Sequence, residues 1–471
     1  MEYDAIVVGS GPNGLAAAIT LAQQGWRVQV LEAKETIGGG MRTAELTLPG
    51  FRHDICSAIH PLGMGSPFFQ SLDLGAYGLE WIQPELPLAH PFEDGTAVEL
   101  HQSLDATKSG LGRDGVAYGR LLGPIVRNWD AVAQEFLGPL RLPRHPLVMA
   151  QFGLRALWPA KITAQVLFRE DRSRAFFAGL AAHAIMPLEW PTTSAFGLML
   201  GALGHVVGWP LPRGGSQAIA DAMAAYLADL GGEIVTGHEV ISLRELPPAR
   251  AILLDVTPRQ VVQLAGDQLP AKYRRQLNKY RYGQGVFKID WALSEPIPWR
   301  AKACRRAGTV HIGATLDEIC ASEQAAWRGE HNEKPYTLVT QQSLFDGTRA
   351  PAGQHTGWAY CHVPHGSTKD MTAVIEKQIE RFAPGFRDCI LARQTMTAQD
   401  FQRYNPNYIG GDINGGVQNW RQLFTRPVPR LDPYSTPLPN LFLCSSSTPP
   451  GGGVHGMCGF YAAQSVLKRQ R

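Results

Sequence analysis

The sequence predicts an α/β protein built from two interleaved domains. The chain has 471 residues, more than one hydrophobic core usually organises. Hydrophobic residues make up 44% and charged residues 18% of it, and 50 glycines and 34 prolines indicate many tight turns between short elements. The third observation is a glycine-rich strand–turn–helix pattern at the start of the chain.

That first glycine pattern, "VVGSGPNG", follows a predicted strand at residues 4–8 and opens a predicted helix at about residues 13–24. Gly9 permits the sharp turn, Gly11 lets the backbone approach a pyrophosphate, and Gly14 lets the helix pack closely on the strand. The helix start, at Pro12 and Asn13, then turns backbone N–H groups toward the phosphates.

An acidic residue ends the next predicted strand, residues 27–31. Glu32, followed by Ala33, stands where a carboxylate accepts hydrogen bonds from a ribose hydroxyl. An isolated G-x-G-x-x-G is weak evidence, but here it has its strand, its helix and its acid. We interpret the unit as a Rossmann-like dinucleotide site, the alternative being a purely structural turn.

A second glycine run, "TIGGGMRT", follows at residues 36–43. Gly39 and Gly40, followed by Met41, allow another close backbone approach, and Arg42 is a candidate partner for phosphate. The alternative is a flexible loop with a solvated Arg42. The arrangement resembles the extended FAD signature of flavin amine oxidases and carotenoid desaturases, which favours FAD over NAD.

The rest of the chain divides by pattern. Residues 213–243 predict a helix with an apolar face followed by strands, and residues 249–258 predict a buried strand. We expect an FAD-binding domain assembled from three pieces and a substrate domain from two. The FAD-binding pieces are 1–70, 210–275 and 428–471; the substrate pieces are 71–209, largely helical, and 276–427, which contains a sheet.

Two stretches of the substrate domain carry specific expectations. Residues 147–168 mix apolar bulk with Arg155 and Lys161; we favour core packing for them, the alternative being an apolar entrance that rests on a lipid surface. Residues 285–293, "GVFKIDWAL", alternate in character. They predict a strand with one apolar side, and on the other side we favour a solvated Lys288, the alternative being a site residue.

Four patches together resemble a known family: "VVGSGPNGLAAAI…VLEA…IGGGMRT", "GVFKIDWAL…GTVHIG", "DGTRAPAGQHTGWAYCHVP" and "GGDINGG…FTRPVP…NLFLCSSSTPPGGGVHGMCGFYAA". The chain resembles the phytoene (carotenoid) desaturase-like FAD oxidoreductases, in particular the bacterial and mitochondrial pyridine nucleotide-disulfide oxidoreductase-domain relatives. The resemblance implies a Rossmann-like FAD-binding domain with an interleaved α+β substrate domain, as in amine oxidases and phytoene desaturases. It also implies a backbone contact from Val240 to the adenine end of FAD.

The stretch "TPPGGGVHGMCGFYAAQ", residues 448–464, is a second candidate cofactor loop. Gly453 and Val454 give backbone access, and the helix predicted to begin near Gly456 and Met457 would turn its positive end toward the flavin ring. We expect this helix to offer a face of small residues to the flat ring. The members of that face are Gly456, Gly459 and Ala463.

Three histidines are candidates for proton transfer. His455 is placed to donate a hydrogen bond or proton at the ring, and the alternative is a loop histidine that caps the turn. His311 and His355 are weaker candidates, because single histidines in strand-like segments often make structural hydrogen bonds.

We therefore expect an FAD-dependent oxidoreductase that dehydrogenates, or in reverse saturates, a hydrophobic small molecule of carotenoid-like or lipid-like character, by hydride transfer to flavin N5. Oxygen, a quinone or a diffusible carrier would take the electrons. The alternatives are an amine oxidase-like enzyme, an isomerase that uses reduced flavin, and a flavin-binding interaction protein without turnover.

Composition excludes other classes. The net charge of +3 and the lack of a dense Lys/Arg run argue against nucleic acid. The seven cysteines are scattered without a C-x-x-C pair or a His/Cys cluster at metal-ligand spacing, so we expect no metal site. The chain begins without a signal-like segment and has no apolar run of about 20 residues. We expect a cytoplasmic protein, attached to a membrane surface at most.

Overall fold

The structure, a computed structural model, describes residues 2–470. Its strands are β1 (Ala5–Val8), β2 (Val28–Leu31), β3 (Thr43–Glu45), β4 (Arg52–Asp54), β5 (Trp81–Ile82), β6 (Leu86–Pro91), β7 (Ala97–Leu100), β8 (Leu211–Pro212), β9 (Glu233–Val235), β10 (Ala251–Leu254), β11 (Gly285–Leu293), β12 (Ala307–Ile312), β13 (Thr337–Thr340), β14 (His355–Val363), β15 (Ile390–Met396) and β16 (Leu441–Leu443).

The helices alternate with these strands through most of the chain. They are α1 (Pro12–Ala22), α2 (Pro61–Gly65), α3 (Pro67–Gln70), α4 (Leu104–Gly110), α5 (Gly115–Arg127), α6 (Trp129–Phe136), α7 (Pro146–Ala156), α8 (Ala160–Leu167), α9 (Asp171–Ala182), α10 (Thr193–Val206), α11 (Gln217–Asp229), α12 (Pro258–Ala265), α13 (Ala271–Leu277), α14 (Leu316–Arg328), α15 (Thr372–Glu380), α16 (Ala398–Tyr404), α17 (Trp420–Thr425) and α18 (Met457–Arg469).

One sheet is fully parallel and gathers distant parts of the chain in the order β16-β10-β1-β2-β9. The runs "AIVV" in β1 and "AILL" in β10 are buried at every residue, as expected for central strands covered on both faces. The carboxyl ends of β1 and β10 lie side by side, with Val8 opposite Leu254. This edge of the sheet is where ligands bind in open α/β folds.

The last helix, α18, packs along α1 rather than against a ligand. A Cβ on Gly459 would lie 1.8 Å from the carbonyl oxygen of Asn13 and 2.8 Å from the backbone nitrogen of Ala17. Gly456 has φ +69°, and a Cβ there would meet Phe68 at 2.6 Å. The prediction that this face of small residues packs on the flavin ring is wrong, because α1 already occupies the face.

The second sheet has the order β15-β11-β14-β13-β12-β6-β7 and is antiparallel except for the β12–β6 pair. All nine residues of β11 are buried, because both faces of the strand are covered: Phe287, Ile289 and Trp291 pack in one hydrophobic cluster with α15, and Lys288 and Asp290 lie buried on the other face. The prediction of a solvated Lys288 is wrong: its side chain is 1% exposed and its ammonium group is paired with the carboxylate of Asp290. The strands of the two sheets come from different stretches of the chain, and the predicted domain boundaries stay a prediction.

The expectation that residues 147–168 pack in the core is corrected by the positions of α7 and α8. They pack on α10 through only a few small or aromatic side chains, among them Phe152, Ala156 and Ala160. Their outward faces are apolar as well. Exposed there are Leu147 (85%), Leu154 (70%), Leu157 (53%), Ile162 (46%) and Val166 (64%). Within residues 2–470, no helix has the length and apolar character needed to cross a membrane.

Candidate functional site

A cavity of about 590 Å³ joins the edge of the parallel sheet to one face of the seven-stranded sheet. Its nucleotide end is lined by residues of both glycine runs and of the 238–241 segment: Gly9, Gly11, Pro12, Asn13, Glu32, Ala33, Gly39, Gly40, Arg42 and Val240. Its far end is lined by residues of α10 and of β12, β13 and β14: Met199, Leu200, Thr309, Leu338, Thr340, Trp358 and Tyr360. The loop before α18 also lines it.

The first glycine run forms a cradle without side chains. Gly9 has φ +102°, a conformation that favours glycine. A Cβ on Gly11 would stand 2.7 Å from the carboxylate of Asp255, and one on Gly14 would stand 2.0 Å from the carbonyl oxygen of Gly9. Helix α1 begins at Pro12, which has no backbone N–H, and Gly14 N donates to Asp255 Oδ2 at 3.0 Å, so the N–H of Asn13 is the first-turn donor that is left for an anion. Gly14 itself packs behind the cradle and does not line the cavity.

Glu32 and Arg42 pair with each other in the structure. One carboxylate oxygen of Glu32 accepts hydrogen bonds from Lys34 N (2.9 Å) and Arg42 Nη2 (3.0 Å). The other accepts from the backbone nitrogen (3.0 Å) and hydroxyl (2.5 Å) of Ser10. Arg42 Nε also donates to the carbonyl oxygen of Thr36 at 2.9 Å. The pair therefore holds the first glycine run to the second, and the phosphate role of Arg42 stays a prediction.

The second glycine run lies directly against the first. Gly39 has φ +55°, and a Cβ on it would meet the Cα of Gly11 at 3.1 Å. A Cβ on Gly40 would stand 2.4 Å from the hydroxyl of Tyr408. Met41 is fully buried in the core and does not line the cavity. The two runs leave space for a ligand only because neither carries a side chain.

Asp255 is a site residue that sequence reasoning missed. It follows β10 directly, and its Oδ2 accepts a hydrogen bond from Gly14 N at 3.0 Å. Burial raises its pKa to about 7; the hydrogen bond from Gly14 opposes this shift and the nearby Glu32 adds to it. Asn407 donates to the backbone carbonyl of Asp255 at 2.9 Å and also lines the cavity. The signal for Asp255 was its position at the carboxyl end of a buried parallel strand.

The residues predicted to bind the cofactor around the start of α18 fall into two groups. Gly453, Val454 and His455 line the cavity, whereas Gly456 and Met457 turn away from it. Gly453 has φ +127°, and a Cβ there would stand 2.9 Å from Leu62 Cδ1. The two residues that turn away make the start of α18 and its contact with α1.

The ring of His455 is engaged at both nitrogens. Nδ1 accepts a hydrogen bond from Met457 N at 3.0 Å, so the proton sits on Nε2, which lies 3.2 Å from the carbonyl oxygen of Gly451. Burial lowers the pKa of His455 to about 4. A neutral ring with both nitrogens used matches the turn-capping alternative, and a catalytic role for His455 stays a prediction.

The other two histidines differ in their surroundings. Nε2 of His311 lies 3.0 Å from Nε2 of His183, which lines the cavity, and burial holds the pKa of His311 well below its ordinary value. His355 lies outside the cavity, with its Nδ1 3.2 Å from the hydroxyl of Ser343. His311 does not line the cavity but contacts His183, which does. His355 is a structural residue of β14.

The far end of the cavity carries no formal charge. Within residues 2–470, the acidic and basic side chains that line the cavity are all at the nucleotide end: Glu32, Lys34, Arg42, Glu239 and Asp255. Trp358 and Tyr360 form an edge-to-face pair with ring centroids 5.2 Å apart. The ammonium group of Lys288 lies 5.8 Å from the centroid of the Trp358 ring. The chamber is apolar and aromatic, with a buried cation beside its tryptophan.

The residues present fit FAD. The two glycine runs pack as closely as bare backbone allows, since a Cβ on Gly11 would meet Asp255 and one on Gly39 would meet Gly11, and this leaves backbone facing the ligand as a pyrophosphate requires. Val240, 8% exposed, lines the nucleotide end where the adenine contact was predicted. The same cavity is lined by Gly453 and by the residues of the apolar chamber.

Comparisons with known proteins agree with this geometry. A family model described as an NAD(P)-binding Rossmann-like domain matches residues 7–72, which hold both glycine runs. The chain is 29% identical to pyridine nucleotide-disulfide oxidoreductase domain-containing protein 2 of Mus musculus, with 99% of this chain and 94% of the relative covered. It is 26% identical to the phytoene desaturase (neurosporene-forming) of Rhodobacter capsulatus, with 97% and 92% covered.

The fold is also similar to solved structures. An oxidoreductase from Methanosarcina mazei superposes with a TM-score of 0.67 at 17% identity, covering 98% of this chain and 99% of that one. At this identity the likeness supports the fold alone. The predicted α/β fold class and the resemblance to the phytoene desaturase-like FAD oxidoreductases are confirmed.

Proposed function

We propose that the chain, an FAD-dependent oxidoreductase, removes hydrogen from, or adds hydrogen to, an uncharged hydrophobic small molecule. The observation that supports this most is the division of the cavity, with every charged lining residue at the nucleotide end and none in the chamber beyond Gly453. Bound FAD supplies N5 of the flavin as the hydride acceptor. An apolar substrate is the ligand that such a chamber takes at least cost in desolvation.

The chain's own residues orient the substrate and exclude water. Leu338 and Trp358 on the sheet face Met199 and Leu200 on α10 across the chamber. Packing between them removes apolar surface from water, which stabilises a bound apolar ligand by about 25 cal/mol per Å² of surface buried. The side chains hold the substrate in place, and no nucleophile among them is needed.

The chamber disfavours an amine. A protonated amine needs a carboxylate or a free aromatic face, and Trp358 already lies beside the ammonium group of Lys288. Asp290 is paired with that ammonium group, so its carboxylate is not available to a second cation. Among residues 2–470, no carboxylate lines the far end to compensate.

Anaerobic mixing tests this proposal. FAD-loaded protein is mixed with a panel of neutral monoterpenes, polyenes and their alcohol and ketone derivatives and, separately, with a panel of primary mono- and diamines, while flavin absorbance near 450 nm is followed. We expect at least one neutral compound to bleach the flavin and no amine to do so. Bleaching by an amine, or by none of the neutral compounds, contradicts the proposal.

We propose that α7, α8 and the loop before them bind the surface of an anionic lipid bilayer, and that the substrate reaches the chamber from that bilayer. Leu140 and Leu142 in that loop are 73% and 93% exposed and continue the outward apolar faces of the two helices. Residues 136–169 contain no acidic residue and several basic ones, among them Arg144 and Arg155. Exposed leucines flanked by arginines match the acyl and headgroup layers of an anionic bilayer.

This surface is continuous with the cavity. Phe136 and Leu137 line the cavity immediately before the exposed loop begins. Helix α10, on which α7 and α8 pack, gives Met199 and Leu200 to the chamber wall. A hydrophobic molecule would thus pass from lipid to chamber without crossing bulk water.

Vesicle co-sedimentation tests the lipid contact. Phosphatidylglycerol vesicles should retain the wild-type protein and phosphatidylcholine vesicles should retain much less, with Leu142→Asp weakening retention about tenfold. Leu391→Asp is the control, because Leu391 is 47% exposed on β15, the edge strand of the seven-stranded sheet, and belongs to neither of the two helices nor the loop before them. Equal retention of both variants, or no retention of the wild type, contradicts the contact.

A further inference from the structure

The apolar chamber contains two hydroxyl groups that nothing in the described chain satisfies. Thr309 on β12 and Thr340 on β13 are each 3% exposed, and both line the cavity. Neither Oγ1 has a hydrogen-bond partner among residues 2–470. A buried hydroxyl without a partner costs about 1–3 kcal/mol, so two of them in one chamber are an expensive feature unless a ligand satisfies them.

Their positions make them one site. Val310 lies opposite Val339 in the antiparallel pair of β12 and β13, so the next pair outward is Thr309 and Thr340. Directly opposed residues have Cβ atoms about 4.5–5.5 Å apart and point to the same face. Thr340 in turn lies opposite Trp358 on β14. The two threonine side chains therefore stand side by side next to the aromatic wall of the chamber, and rotation about Cα–Cβ, which exchanges the places of methyl and hydroxyl, turns each hydroxyl toward a ligand there.

We propose that Thr309 and Thr340 bind one oxygen atom of the substrate. A carbonyl oxygen has two lone pairs and can accept a hydrogen bond from each hydroxyl, and a substrate hydroxyl can do so too. The substrate class is then an oxygenated apolar molecule, such as a cyclic ketone or alcohol, rather than a pure hydrocarbon. This rests on the proposed function and narrows its substrate.

Three bicyclic probes of matched size test the pair: tetralin, its ketone 1-tetralone, and protonated 1-aminotetralin. Binding to the FAD-loaded protein is followed through the flavin absorption spectrum. We expect 1-tetralone to bind at least tenfold more tightly than tetralin, because a site built to hydrogen-bond an oxygen rejects the analogue that lacks it. In the Thr309→Val/Thr340→Val double variant, this preference should fall below about twofold.

The outcomes separate the two proposals. If tetralin and 1-tetralone bind equally and both bind more tightly than the amine, the threonine site is overturned and the proposed function stands. If the amine binds most tightly, or none of the three binds, the proposed function itself is overturned, and the threonine site with it. A double variant that keeps the ketone preference also overturns the threonine site.

Thermal unfolding of the ligand-free, FAD-loaded protein gives a readout that needs no probe. The double variant should have a higher midpoint than the wild type, because two unsatisfied hydroxyls become methyl groups of similar shape. Thr337→Val on the same strand is the control: its Oγ1 donates to the carbonyl oxygen of Pro335 at 3.1 Å, so its midpoint should fall while the ketone preference is kept. A lower midpoint in the double variant overturns the assignment.

Discussion

At the scale of single residues, the nucleotide end depends on one acid in an unusual position. Asp255 lies against the cradle formed by Gly11 and Gly14, where a pyrophosphate would bring negative charge. Burial raises its pKa to about 7, so it carries a proton over much of the pH range in which other carboxyls are ionised. Protonation removes a repulsion that would otherwise oppose the cofactor.

The affinity for FAD should therefore fall as pH rises. Below pH 7 Asp255 is mostly neutral, and above it the carboxylate repels the phosphates, so we expect the dissociation constant to increase several-fold between pH 6 and pH 8. Asp255→Asn keeps an acceptor for Gly14 N and should bind FAD with little dependence on pH. Glu239→Gln, at an exposed position of the same end, should keep the wild-type slope. Fluorescence titration measures all three, and an equal slope in Asp255→Asn contradicts the assignment.

Sequence reasoning reached the residues whose role is local. Gly9, Gly11 and Glu32 were predicted because a strand, a turn and an acid at set spacing specify them without knowledge of the rest of the chain. Thr309 and Thr340 were beyond it as chamber residues, since which strand faces lie over the cavity depends on the order of strands in the second sheet.

At the scale of elements, the fold depends on the crossing of α1 and α18. The two helices come from opposite ends of the chain and meet backbone to backbone, with Gly459 over Asn13 and Ala17. The start of α1 forms the cradle, and the loop before α18 borders the path to the chamber. A displacement of either helix thus changes both ends of the cavity.

A single methyl group at this crossing should be costly. Gly459→Ala would force its Cβ against the carbonyl oxygen of Asn13, and overpacking of this kind typically costs about 1–3 kcal/mol. We expect a lower unfolding midpoint and weaker FAD retention. Gly153→Ala is the control, because Gly153 lies in α7 with nothing within 4 Å of the added Cβ, and alanine there should be neutral or stabilising. A Gly459→Ala protein that unfolds and binds FAD like the wild type would argue against the crossing.

The elements themselves were predicted to different degrees. The unit β1-α1-β2 was predicted to within one or two residues at each end, because its periodicity and its stop at Gly25 are local signals. Strand β11 was predicted as a strand but with one solvated side, since burial of its second face depends on distant segments that pack over the sheet. Burial of α7 and α8 was overestimated for the same reason: apolar side chains do not tell which of them find a partner.

At the scale of the whole molecule, buried neutral histidines set the response to acid. Burial lowers the pKa of seven of them: His53 and His183 to about 3, His60, His90, His205 and His455 to about 4, and His311 well below its ordinary value. In the unfolded chain each histidine binds a proton near its ordinary pKa of 6.5, whereas the folded chain does not. Unfolding then takes up protons below pH 6.5, so stability is lost as pH falls from about 6.5 toward 4.

The unfolding midpoint in urea should accordingly be lower at pH 5 than at pH 7.5. Four carboxyl groups act in the opposite direction, because burial raises the pKa of Asp255 to about 7, that of Asp290 to about 6, and those of Glu323 and Asp412 above their ordinary values; they are four groups against seven. An unchanged or higher midpoint at pH 5 would contradict the neutral, buried state of these histidines. A series from pH 5 to pH 7.5 at constant ionic strength makes the comparison.

The most direct test of the account is the flavin content of the purified protein, because the cradle, the chamber and the proposed reaction all depend on FAD. We predict the visible spectrum of a bound flavin at about one FAD per chain, either as purified or after incubation with FAD. Gly11→Val, which fills the cradle, should abolish this spectrum. A folded wild-type protein that shows no flavin spectrum and gains none on addition of FAD would contradict the account.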